Sequence, residues 1–78
     1  MSPARLEISD HAAERLKQRR ITRTQIRLAL QSPNLETTAD INGRKVKEKK
    51  FGKKVLVVIY LDVLGGQLIV TAYWKGVS

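Results

Sequence analysis

The run Val55-Leu56-Val57-Val58-Ile59-Tyr60-Leu61 constrains the fold more than any other segment of the chain. Its uninterrupted apolar and mostly β-branched side chains favour a strand covered on both faces over a surface helix. The run is also far shorter than the roughly 20 residues that a membrane-spanning helix requires. We therefore predict that residues 55–61 form the middle strand of a sheet in a soluble protein.

Helix signals precede this strand. Ser9 or Asp10 is a suitable N-cap for a helix over residues 10–20, which are rich in good helix formers. Thr22 and Gln25 have the spacing of a capping box, and the apolar pattern that follows them stops at Pro33. The sequence therefore predicts two consecutive N-terminal helices.

Turn signals flank the central strand. Asn42-Gly43 and Gly65-Gly66 are typical of hairpin turns, and residues 67–74 alternate as a second long strand. We predict a single α+β domain over residues 1–78, with the two N-terminal helices packed on one face of a three- to four-stranded antiparallel sheet. Whether residues 5–8 form a further strand is left open.

The chain is short and strongly basic. Its 78 residues carry 15 Lys and Arg against 7 Asp and Glu, a formal net charge of +8. Such a charge favours an anionic partner, with RNA first and an acidic protein as an alternative, although it also serves solubility alone. Without cysteine the core must come from aliphatic side chains or from a second copy of the chain, as in a homodimer.

The sequence also bears on cellular location and on cofactors. The absence of cysteine and of an apolar leader segment after Met1 is consistent with the cytoplasm. No motif predicts a metal ion, a cofactor or a membrane partner.

The first predicted helix carries the residues best suited to chemistry. His11, Arg15 and Arg19 lie four residues apart and therefore form one stripe. A guanidinium group matches a phosphate bidentately, and an imidazole exchanges protons near neutral pH. We expect the three groups to share a hollow beside the last strand, although His11 as a local hydrogen-bonding residue and the arginines as a solvated face are the alternatives.

A second basic cluster occupies residues 44–54. Alternation along a strand places charge on both of its faces, which is typical of an edge strand that resists aggregation. The functional alternative is a track for the RNA backbone, with salt-dependent affinity. With Arg20 and Lys75 added, the predicted RNA-binding residues are Arg20, Arg44, Lys45, Lys47, Lys49, Lys53, Lys54 and Lys75.

The last predicted strand adds two candidates. Alternation puts Val70, Ala72 and Trp74 on one side and Thr71 and Tyr73 on the other. We assign Trp74 to the core, and Thr71 and Tyr73 to the site.

Residues 11–21, with Ile26, Ala29, Leu30 and Pro33, resemble a family of short bacterial proteins catalogued as a domain of unknown function, with the signature His-Ala-x-x-Arg-Met-x-x-Arg-x-Ile. Val70-Thr71-Ala72-Tyr73 is similar to the pattern that ends the family's last strand. Leu16 replaces the usual Met, and Arg20 stands where Gly is common, so the first helix is expected to end differently here.

The resemblance implies a fold related to the RelE, ParE and BrnT toxins of the barnase, EndoU, colicin and RelE ribonuclease superfamily. It also implies that His11, Arg15, Arg19, Thr71 and Tyr73 occupy recurrent polar positions of the family.

Two functions are therefore expected as alternatives. The first is a toxin-like, metal-independent endoribonuclease in which His11 is the general acid or base, Arg15 and Arg19 hold the phosphate, and Thr71 and Tyr73 complete the site. Its target would be RNA, free or on the ribosome, and an acidic antitoxin would be its partner. The second is a non-catalytic RNA-binding or protein-interaction module that uses the same basic surface.

Overall fold

A computed structural model describes residues 5–39 and 43–76. Its elements in chain order are β1 (Arg5–Ile8), α1 (Asp10–Gln18), α2 (Arg23–Gln31), β2 (Leu35–Ala39), β3 (Arg44–Phe51), β4 (Lys54–Val63) and β5 (Gly66–Gly76). The five strands form one sheet in the order β1-β5-β4-β3-β2. β1 runs parallel to β5, and every other neighbouring pair is antiparallel.

The α+β class and the two helices on one face are confirmed, whereas the predicted three- to four-stranded antiparallel sheet is wrong. The sheet is mixed because β1 pairs with the first third of β5, from Arg5 opposite Gly66 to Ile8 opposite Ile69. A Cβ atom at Gly66 would overlap the backbone of Arg5, so this approach requires glycine. β1 is only four residues long, so no strand within residues 5–39 and 43–76 pairs with this edge of β5 beyond Ile69.

Local capping starts both helices as predicted. Ser9 is the N-cap of α1, and its hydroxyl accepts the amide of Ala12 at 3.2 Å. Thr22 and Gln25 form a reciprocal capping box at the start of α2. These contacts satisfy amide groups that the first turn of a helix leaves without partners.

The core lies between the helices and one face of the sheet. Helix side chains meet side chains of β4 and β5 there, and the cluster comprises Leu6, Leu16, Ile21, Ile26, Ala29, Leu30, Leu56, Val58, Tyr60, Ile69 and Ala72. β4 is the third of the five strands, so the prediction of a central strand is confirmed. Val57, on the face away from the helices, is also buried between its register neighbours Glu48 and Tyr73.

Two details of β5 differ from the prediction. The pairing of β5 with β4 shifts between Ile59 and Tyr60, so Val70 is an extra residue, as in a β-bulge. As a result, Ile69 and Ala72 both lie on the core side of β5. The predicted alternation of core-facing and outward-facing side chains along β5 is therefore wrong for the residues before Thr71. Trp74 does pack against the core, as predicted. The turn into β5 is Leu64-Gly65 instead of Gly65-Gly66, because Val63 pairs with Gly66 and Gly65 has a φ of 84°.

The remaining turns lie in and before the basic segment. Gly52 and Lys53 connect β3 to β4, and Gly52 has a φ of 65°. Gly43 also has a positive φ, but Asn42 of the predicted Asn42-Gly43 turn lies outside the described residues.

The lysine-rich strand β3 lies between β4 and β2, so the prediction that it is an edge strand is wrong. No helix in the described ranges is long and apolar enough to cross a membrane.

Helix α1 ends in a Schellman motif. The amide of Ile21 donates to Leu16 O at 2.9 Å, and the amide of Arg20 donates to Lys17 O at 3.2 Å. Ile21 and Leu16 are both buried in the core, which supplies the apolar contact of this motif. Arg20 takes the left-handed position, with a φ of 57°, where glycine is the usual residue.

We expect Arg20→Gly to raise the free energy of unfolding by about 1 kcal/mol, because the Cβ atom of Arg20 is strained in the left-handed conformation. Thermal denaturation should show a higher midpoint, by about 4–8 °C per kcal/mol for a chain of this size. Arg20→Ala removes the same charge but keeps the Cβ atom, so it should change stability little. Equal stabilisation by both variants would assign the effect to charge instead of backbone strain.

Candidate functional site

His11 and Arg15 form a pair on the outer side of α1. They lie one helical turn apart, and Arg15 Nε donates a hydrogen bond to His11 Nε2 at 3.2 Å. Both side chains are exposed. Because a neutral imidazole accepts at only one nitrogen, this bond fixes the tautomer with its proton on Nδ1. Protonation of His11 would remove the acceptor and release the guanidinium group of Arg15.

An open pocket surrounds this pair. Its volume is about 240 Å³, and its lining residues are His11, Glu14, Arg15 and Gln18. Glu14 was not among the residues predicted from the sequence. Its position three residues after His11 is the signal that identifies it, because residues three apart share a helix face. The pocket thus combines an imidazole, a carboxylate and a guanidinium group.

Arg19 turns away from this pocket towards β5. Its Nη1 donates to Ala72 O at 2.8 Å and to Thr71 Oγ1 at 3.4 Å. In return, Trp74 Nε1 donates to Arg19 O at 3.0 Å. These contacts lie beyond Ile69, the last residue of β5 that pairs with β1 in the described part of the chain. Arg19 therefore fastens the end of α1 to an edge whose carbonyl groups need donors.

The five residues predicted as a catalytic site form two groups. His11 and Arg15 lie together on α1, and Arg19 and Thr71 lie together where α1 meets β5. Tyr73 follows on the same side of β5 as Thr71 and is 40% exposed. His11 and Arg19 are separated by about 12 Å along the helix axis. Arg19 is not among the residues that line the His11 pocket.

The three predicted RNA-binding lysines of β3 make contacts within the fold. Lys47 Nζ donates to Leu30 O and Lys49 Nζ donates to Ser32 O, each at 2.9 Å. These carbonyl groups end α2, so the two lysines balance the negative end of its dipole. Lys47 is also 3.6 Å from Glu36 and only 13% of its side chain is exposed. Lys45 pairs with Asp62.

Two ion pairs raise lysine pKa values. A hydrogen bond to Asp62 and its negative charge raise the pKa of Lys45. A hydrogen bond to Glu48, 2.8 Å away, raises the pKa of Lys75. Both lysines therefore stay protonated at neutral pH, but each already has a carboxylate partner.

The other predicted RNA-binding residues are exposed. Arg20 follows α1, Arg44 begins β3, and Lys53 lies in the turn between β3 and β4. Lys54 begins β4, with its Nζ 5.9 Å from the centre of the Trp74 ring, a cation–π arrangement.

The sequence prediction missed several exposed cationic residues on the helices, because their spacing matches no motif. They include Lys17, Arg23 and Arg27. The described residues, 5–39 and 43–76, contain no cluster of acidic and histidine side chains suited to a metal ion.

The sequence pattern of a described protein family, a domain of unknown function named DUF4258, matches residues 8–74. The chain belongs to this family. The match covers both helices and ends at Trp74, so it includes His11, Arg15, Arg19, Thr71 and Tyr73. Neither the curated proteins nor the solved structures contain a match to the chain.

Arg19→Ala should lower the free energy of unfolding by about 1–2 kcal/mol, because it removes charge-assisted hydrogen bonds to Ala72 and Thr71. Chemical denaturation followed by Trp74 fluorescence measures the loss. Arg15→Ala is the matched control on the same helix, and its effect should stay within about 0.5 kcal/mol. A similar loss in both variants would contradict the fastening role of Arg19.

Proposed function

We propose that the protein is a metal-independent endoribonuclease that acts from the outer face of α1. The observation that carries the proposal is the hydrogen bond between Arg15 Nε and His11 Nε2, in an open pocket that Glu14 also lines. Cleavage of RNA without a metal ion requires a base, an acid and a cation for the phosphate. This pocket offers one residue of each kind.

The chemistry assigns a role to each side chain. The carboxylate of Glu14 accepts the proton of the ribose 2′-hydroxyl, and the 2′-oxygen then attacks the phosphorus. The bond from phosphorus to the 5′-oxygen breaks, and the imidazolium of His11 protonates the leaving oxygen. Arg15 binds the phosphate oxygens with the N–H groups of its guanidinium, including the Nε–H that protonation of His11 releases. The products are a 2′,3′-cyclic phosphate and a 5′-hydroxyl group.

A relation to the RelE, ParE and BrnT toxins is part of the same proposal. Two supports are the resemblance of residues 11–21 to the family signature and the order of two helices before an antiparallel meander. In this proposal Arg19 is a positioning residue, because its guanidinium group is held by Ala72 and Thr71. Thr71 and Tyr73 then flank the site instead of touching the reacting atoms.

A second candidate function is a non-catalytic RNA-binding module. The observation that favours it is the division of the predicted site, since Arg19 is bound to β5 and the described residues that line the His11 pocket all belong to α1. Such a module would bind the RNA backbone through exposed cations such as Arg15, Arg20 and Lys53, with an affinity that falls as salt rises.

Purified protein should cleave single-stranded RNA in the presence of EDTA, and His11→Ala should reduce the rate by about 10²-fold or more, since it removes a general acid. Glu14→Gln and Arg15→Ala should also slow cleavage, and the product should end in a cyclic phosphate. Arg27→Ala is the control, because it removes an exposed helix arginine outside the pocket.

Cleavage that persists in His11→Ala would remove His11 from the mechanism. Salt-dependent RNA binding with no cleavage product, weakened by Arg15→Ala more than by Arg27→Ala, would instead support the binding module.

A further inference from the structure

A second pocket lies where the end of β1, the inner flank of α1 and the start of α2 meet. Its volume is about 310 Å³. Four apolar residues and two cationic residues line it, namely Ile8, Ala13, Leu16, Ile21, Lys17 and Arg23. The RNA-directed function proposed above does not use any of them.

The floor of this pocket is apolar and fixed. Leu16 and Ile21 are only 4% and 6% exposed and are held by the Schellman motif that ends α1. Ile8 packs against the same core. Ala13 is exposed, and its small side chain leaves the pocket open towards solvent. The floor therefore fits an aliphatic side chain.

The rim of the pocket is cationic. Lys17 and Arg23 are exposed, and Arg23 is steadied by a hydrogen bond from its Nη2 to Leu6 O at 3.3 Å. Among the described residues that line this pocket, none carries a carboxylate. Within residues 5–39 and 43–76, neither Lys17 nor Arg23 forms an ion pair. The rim is thus complementary to negative charge, and Arg23 adds to the positive end of the α2 dipole.

We propose that this pocket docks an acidic segment of a protein partner. An aliphatic side chain of the segment packs against Leu16 and Ile21, and carboxylates beside it bind Lys17 and Arg23. RNA fits this pocket less well, because its floor offers no aromatic ring on which a base can stack. A second copy of the chain is disfavoured by the net charge of +8 that both copies carry.

The docking pocket and the His11 pocket lie on different sides of α1. At 100° per residue, Ala13 and Lys17 are rotated by roughly 180° and 140° around the helix axis from the midpoint between His11 and Arg15. An acidic segment in this pocket therefore leaves the outer face of α1 accessible. The inference consequently stands whether or not the His11 pocket cleaves RNA.

The test is an NMR titration of the full chain, labelled with ¹⁵N, with a synthetic eight-residue peptide of glutamates around a central pair of leucines. Two matched peptides replace the leucines by serines or the glutamates by glutamines. We expect the largest shifts at the amides of Ala13, Lys17 and Arg23, and binding at least about tenfold weaker for each matched peptide, because each lacks one of the two recognition elements.

Three protein variants complete the test. Lys17→Glu should weaken binding roughly tenfold by reversing one rim charge. Arg27→Glu makes the same change in net charge outside the pocket and should have a much smaller effect. Ala13→Glu, at an exposed helix position, should also weaken binding without disturbing the core.

Three outcomes would overturn the proposal. Equal binding of the serine peptide would show attraction by charge alone, and shifts centred on His11 and Arg15 would place the peptide at the other pocket. If a single-stranded RNA shifts the amide signals of Ala13, Lys17 and Arg23 and the acidic peptide does not, the pocket binds nucleic acid instead.

Discussion

The exchange of hydrogen bonds between the end of α1 and the edge of β5 determines which side of α1 faces solvent. Arg19 donates to Ala72 O, and Trp74 donates to Arg19 O. Both bonds occur where β1 has ended and β5 would otherwise present unpaired backbone groups. With Leu16 turned into the core and Arg19 held at the edge, His11 and Arg15 are left on the outer face.

The positive charge of the chain is not one uniform surface. Lys47 and Lys49 stabilise the end of α2, and Lys45 and Lys75 have carboxylate partners. These lysines contribute to the long-range potential, which attracts polyanions, but their nearest contacts are within the fold. The α1 pair differs because the local partner of Arg15 is an imidazole that can be protonated. In the proposed function, this difference favours α1 over the lysine-rich strand as the element that contacts a phosphate.

Local signals in the sequence predicted most of the secondary structure. The N-caps could be predicted because Ser9, Thr22 and Gln25 bond to groups within three residues along the chain. The central strand could be predicted from the apolar run of β4. The parallel pairing of β1 with β5 joins residues about sixty positions apart and has no local signature. The inner position of β3 was missed because charge on both faces resembles an edge, whereas its lysines actually bind the end of α2.

The candidate site, like the fold, could be predicted where it depends on local spacing but not where it depends on contacts between distant parts of the chain. The pairing of His11 with Arg15 follows from helical spacing alone, but the direction of Arg19 depends on a contact with Ala72 far along the chain. The proposed binding of RNA to the outer face of α1 is tested most directly by an NMR titration with a 2′-O-methyl oligonucleotide, which cannot be cleaved by attack of a 2′-hydroxyl group. The largest shifts should fall on His11, Arg15 and Gln18 and on the Nε–H of Arg15. Shifts centred on Lys47 and Lys49, or spread evenly over all exposed cations, would contradict this binding face.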